Sequence, residues 1–156
     1  MDDRDHTLRA ARQLTGLLVL SATVFLASVG IKALSAQAAT RTVWDGVYSA
    51  EQALRGKERY LASCTSCHQQ DLRGDGMAPA LIGADFMLQW SDLSANDLYV
   101  RMRNSMPQDN PRGLDEDVYV DILAYMFEAN KFPAGKEPLE HGSDVLKAIT
   151  ITKQKP

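Results

Sequence analysis

The residues of this sequence best suited to chemistry are Cys64 and Cys67, its only two cysteines, with His68 directly after the second. Thiols three positions apart lie on adjacent sides of one helical turn and cannot staple a distant loop as a disulfide framework does. The pattern C-x-x-C-H is the signature of haem c attachment. Each thiol adds across one porphyrin vinyl group, and the imidazole that follows lies under the iron as its proximal ligand. Other uses of these residues fit less well. A thioredoxin-like dithiol calls for a βαβ context, which the sequence lacks, and has no use for His68. A zinc site needs four ligands, and beyond these three only His6 and His141 remain among histidines and cysteines.

The elements that must hold this motif are helical. Ser49 stands three residues before Gln52, a capping-box pattern, and Ala53, Leu54, Lys57, Tyr60 and Leu61 recur at helical spacing through Ala50–Ser63. Asp71 to Gly83 carries three glycines, Pro79 and two aspartates, which is loop chemistry. Phe86–Trp90 reads as a short helical turn. Ser94 reads as the N-cap of a helix over Ala95–Asn104. Two prolines and Asn110 exclude helix between Met106 and Gly113. Asp115 then reads as the cap of a helix over Glu116–Asn130 with a buried stripe of Val118, Ile122, Tyr125, Met126 and Ala129, stopped by Phe132-Pro133-Ala134-Gly135. The tail, 136–156, is polar, with a short helix near Ser143–Lys147 and alternating Ile149 and Ile151. No internal repeat and no strand pattern of any length occurs.

Ahead of these elements, Leu17–Ile31 is an uncharged apolar run of 15 residues, followed by Lys32 and the small-x-small sequence Ala36-Gln37-Ala38. This is the layout of a signal peptide cleaved near Ala39; the alternative is an uncleaved membrane anchor over Leu14–Leu34. Either way the body is exported, and the expected location is the periplasm. The division that follows is 1–38 signal or anchor, 39–135 functional domain, and 136–156 tail. Loss of residues 1–38 removes Arg4, Arg9, Arg12 and Lys32 with Asp2, Asp3 and Asp5, and leaves the body at −4 against −3 for the whole chain. With no basic block, nucleic acid is excluded as a partner.

Around its motif the chain resembles the class I monohaem cytochromes c over Ser49–Gly135. Gly56 and Tyr60 stand eight and four residues before Cys64, where that family has a glycine and an aromatic in its first helix, and Tyr125 matches the aromatic that crosses the glycine. Met77-Ala78-Pro79-Ala80-Leu81-Ile82-Gly83 resembles the loop whose proline carbonyl accepts the proximal histidine's Nδ1 hydrogen, which points to Pro79. The stretches Trp44-Asp45-Gly46-Val47-Tyr48 and Phe132-Pro133-Ala134-Gly135 are similar to small cytochromes associated with quinoprotein dehydrogenases. The resemblance implies an all-α fold, three main helices around one covalently bound haem c, with the first and last crossing near Gly56 and Tyr125.

The sixth iron ligand separates an electron carrier from a haem that binds small molecules. Met106, in Ser105-Met106-Pro107 and 38 residues after His68, stands where the family places its axial methionine. Met102 is the competing choice; Met77 sits in the proline loop, Met87 in a short apolar turn, and Met126 on a helix face. His141 would give a bis-histidine haem but lies in the polar tail. Trp90 is either a donor to a haem propionate or a core tryptophan satisfied by a backbone carbonyl. Arg101 and Arg103 could neutralise propionates, although solvated helix charges are the simpler reading. The acidic residues 115–117, Asp71 and Asp75 are read as caps and loop residues. The expected function is one-electron transfer from a dehydrogenase to a cytochrome or oxidase, with no catalytic residue of its own. The alternatives are a haem enzyme or gas sensor with an open sixth site, and a membrane-anchored subunit of a redox complex.

Overall fold

The computed structural model describes residues 40–155, and the expected targeting segment lies outside them. In chain order the elements are β1 (Arg41–Thr42), α1 (Ala50–Ser63), α2 (Thr65–His68), α3 (Gly83–Trp90), α4 (Ala95–Ser105), α5 (Glu116–Ala129), α6 (Ser143–Lys147) and β2 (Ile149–Thr150). None of these helices is long and apolar enough to cross a membrane.

Local sequence sets the helix starts, with two departures. Ser94 and Asp97 close a full capping box on α4: Asp97 N–H donates to Ser94 Oγ (3.2 Å) and Ser94 N–H to Asp97 Oδ2 (2.9 Å). The Ser94 hydroxyl and N–H hold the Asp97 carboxyl below its usual range. On α1, Ser49 Oγ accepts from Gln52 N–H (3.2 Å), but the Gln52 side chain does not reciprocate. It turns to the tail instead. Asp115 occupies the N-cap of α5 without a side-chain cap hydrogen bond, so its contribution there is negative charge at the positive end of the helix dipole.

Helices α1 and α5 make the central packing, and the crossing lies one turn from the expected place. A Cβ on Gly56 would collide with the Asp121 carbonyl, so only glycine lets the two backbones approach this closely. Tyr125 instead meets Tyr60, ring centroids 5.4 Å apart. Beside the crossing Arg55 grips Asp121 with two parallel bonds, Nε to Oδ2 and NH2 to Oδ1, both 2.9 Å. The stripe expected on α5 is wider in the structure. Every residue from Tyr119 to Phe127 is buried, whereas Val118 and Ala129 at the two ends are only half-buried. The helix is enclosed by α1, α4 and the segments around it rather than packed on one side.

The tail is structural. Leu139, Leu146, Ile149 and Ile151 are all buried. Strand β2 runs parallel to β1 with Arg41 opposite Ile149, and Thr150 also bridges to Ser94 on its other side. Asp92 N–H donates to Ile151 O (2.8 Å), Ile151 N–H to Leu93 O (2.9 Å), and Trp44 Nε1–H to Thr152 O (3.0 Å). The alternation of Ile149 and Ile151 is visible locally, but Leu139 stands alone among polar residues, and the partners of all four are distant in sequence.

Gln52 is the clasp that holds this tail to α1. Its Nε2–H donates to Leu139 O (2.9 Å) and its Oε1 accepts from Leu139 N–H (2.7 Å), so the side-chain amide copies one rung of a β-ladder. Gln52→Ala leaves both Leu139 backbone groups without these partners in a buried place. The expected cost is about 2 kcal/mol in denaturant unfolding, with faster proteolytic loss of residues beyond 135 and an unchanged haem spectrum.

Candidate haem site

The C-x-x-C-H motif begins at the C-cap of α1 and forms the single turn α2. Cys67 and His68 N–H both donate to Cys64 O, at 3.3 and 2.9 Å. Tyr60, one turn earlier on α1, fixes the exit of this turn: its hydroxyl donates to Gln69 O (2.6 Å), with His68 O 3.2 Å away. Gly74 N–H donates to His68 O (3.1 Å) and folds the following loop back under the histidine. A Cβ on Gly74, whose φ is +70°, would collide with Ala78 O.

His68 is buried, and its Nδ1 lies 3.0 Å from Pro79 O. A carbonyl only accepts, so this contact places the proton on Nδ1 and leaves the lone pair on Nε2, the nitrogen free to hold iron. The loop that carries Pro79 is itself tied down. Asp75 Oδ1 accepts from Met77 and Ala78 N–H (3.0 and 2.9 Å), and these bonds hold the Asp75 carboxyl below its usual range. Leu81 N–H donates to Leu72 O (2.8 Å). Asn130, just past α5, closes the far end: Oδ1 accepts from Gly83 N–H (2.9 Å), and Nδ2–H donates to Leu81 O and Met126 O, each 2.9 Å.

Cys64 and Cys67 are unpaired thiols. Burial, with Cys67 adding, pushes the Cys64 thiol up to about 11. A dithiol reductase works through a thiolate made more acidic by its surroundings, and this environment does the reverse.

Met106 is the C-cap of α4, with extended backbone angles (φ −131°, ψ 147°), as a residue before proline favours. It is half-buried, and both of its backbone polar groups are bonded: its N–H donates to Met102 O (2.8 Å), and its carbonyl accepts from Tyr119 OH (2.7 Å). The loop beyond is closed by Arg112, whose N–H donates to Arg103 O (3.1 Å) and whose Nε–H donates to Asn104 Oδ1 (3.0 Å). Met102 is half-buried on α4 and packs against the core, Met126 is buried, and Met77 is 94% exposed.

Trp90 ends α3 and is buried. Among the described residues its indole N–H makes no hydrogen bond, and no buried side-chain nitrogen or oxygen is left unsatisfied. Arg103 pairs with Glu116 (2.8 Å), and His141 lies 3.3 Å from the other Glu116 oxygen. These side chains join the tail, the start of α5 and the end of α4. The structure thus brings His68 and Pro79 together and leaves Met106 and Trp90 on separate elements. Sequence reasoning missed Tyr119, Asn130 and the Arg55–Asp121 pair; an aspartate between Val120 and Ile122 in an apolar helix was a signal for the last.

This donor set fits a haem. Two thiols and one imidazole with Nε2 free would supply covalent and axial bonds, and half-buried apolar residues such as Leu81, Ile82 and Met102 leave hydrophobic surface that a porphyrin would cover. The fold is consistent with that of the class I c-type cytochromes, and a family comparison supports a c-type cytochrome. Residues 51–126, just under half of the chain, match the family model described as cytochrome c oxidase, cbb3-type, subunit III. No curated protein and no solved structure matches the chain. The match supports a covalently bound haem c, for which Cys64 and Cys67 fit the attachment motif, and with it the role of a haem electron carrier.

Proposed function

We propose that the protein is a periplasmic one-electron carrier that accepts electrons from a dehydrogenase and delivers them to a cytochrome or terminal oxidase. Cys64 and Cys67 form the thioethers, His68 and Met106 are the axial ligands, Pro79 orients His68, and Trp90 donates to a propionate. The observation that carries this reading is the 3.0 Å contact of His68 Nδ1 with Pro79 O, because it fixes the tautomer that ligates iron and raises its basicity. Haem so held supplies a reversible ferric–ferrous couple. The match to a cytochrome c domain favours electron transfer over a reaction catalysed by the chain itself.

The donor is a periplasmic dehydrogenase, with a quinoprotein favoured by the likeness of residues 44–48 and 132–135. The match to an oxidase subunit favours a terminal oxidase as acceptor. It also supports a second reading, in which residues 14–34 stay as an anchor and the cytochrome is a fixed subunit of a membrane complex. Salt-washed membranes retain the haem protein in that case; osmotic shock releases it if the segment is cleaved.

Carriers must leave as easily as they arrive, so their interfaces are small and tuned by charge. With the body at −4 before its propionates, the partner carries positive charge around its docking surface. The expected result is a transfer rate that falls several-fold from low to physiological ionic strength. A flat or rising rate contradicts this and points to an apolar rim around the haem edge.

A further inference from the structure

We infer that Tyr119 is a positioning residue for Met106, acting on the ligand through its backbone carbonyl; the inference rests on the axial role proposed above for Met106. The Met106 carbonyl is one of the helix-end acceptors that an α-helix leaves without an internal partner. The helix ends here and no later turn brings a backbone N–H to this carbonyl, so a bond from elsewhere in the chain fixes its direction. Tyr119 OH supplies that bond at 2.7 Å from 13 residues away. The donor itself cannot wander. Its ring is fully buried and meets Tyr99 edge-on, centroids 6.5 Å apart, on the enclosed helix α5. The other end of the same residue is held by Met106 N–H to Met102 O, so the backbone that aims the thioether is gripped on both sides.

A strap held this way stays shut against an exogenous ligand that competes for the same iron position. One hydrogen bond of this kind shifts the open fraction by about five- to tenfold, and apparent affinity for the competitor follows that fraction. The test uses four holoproteins, wild type, Tyr119→Phe, Tyr48→Phe and Met106→Ala. Each is titrated with carbon monoxide in the ferrous state and scanned for the sulfur-to-iron absorption band in the ferric state. Tyr48→Phe is the stability control, since it removes a bond made by a comparably buried tyrosine, Tyr48 OH to Phe132 O (2.6 Å), on another part of the fold. The expected result is about five- to tenfold tighter carbon monoxide binding and a weaker band in Tyr119→Phe, with Tyr48→Phe matching wild type in both. If Tyr119→Phe matches wild type while Met106→Ala loses the band, Met106 remains the ligand and the positioning role is overturned. An equal gain in Tyr48→Phe overturns it too, by reducing the effect to general loosening. A band that persists in Met106→Ala removes the ligand assignment, and the inference falls with it.

Discussion

Replacing Cys64 and Cys67 together by alanine is expected to leave no compact helical protein. A body of about 118 residues has a modest core of its own, and a bound porphyrin supplies much of the apolar surface it can bury. Leu81, Ile82, Met87 and Met102, which pack against the core, are only half-buried by protein. Without thioethers these surfaces depend on a ligand that can dissociate, and the α1–α5 packing has to carry the domain alone. The measurement is far-ultraviolet circular dichroism with protease resistance of the double variant. A compact, helical, haem-free protein contradicts the account.

The second large effect is expected at Met106. A thioether is a soft neutral donor that favours ferrous over ferric iron, so Met106→Ala lowers the reduction potential. It also removes the sulfur-to-iron band and opens the sixth position. If the thioether holds the iron in about 99 molecules of every hundred, its loss raises apparent carbon monoxide affinity about a hundredfold. Met102→Ala, on the same helix and half-buried in the core, is expected to change stability and leave these readouts in place. The reverse pattern moves the ligand to Met102. A wild type that lacks the band and binds carbon monoxide readily belongs to the open-site alternative, a haem enzyme or gas sensor.

Helix positions were legible because their signals are local. Ser49, Ser94 and the periodic runs behind them fall within one or two turns, and α1, α4 and α5 start at the residues these signals mark. The start of α3 was less so: it begins at Gly83, three residues before the apolar turn, where Asn130 accepts from the Gly83 N–H. Clamps of this kind escape a window reading. Asn130 reaches back to Leu81, Gln52 forward to Leu139, and Tyr119 back to Met106, and nothing in the sequence around each side chain points to its distant partner. Pro79 differs in that the family resemblance, and not its local sequence, singled it out from ordinary turn prolines. Gln52 illustrates the limit most plainly. Its spacing from Ser49 reads as a capping box, yet the buried Leu139 backbone offers two hydrogen bonds in place of the one at the helix start.

The most direct test of the account is the intact mass of the purified protein under denaturing, non-reducing conditions. Addition of both thiols across vinyl groups loses no atoms, so the account predicts the polypeptide plus one whole haem that denaturation does not remove. A bare polypeptide, or one lighter by two hydrogens from a Cys64–Cys67 disulfide, would contradict it.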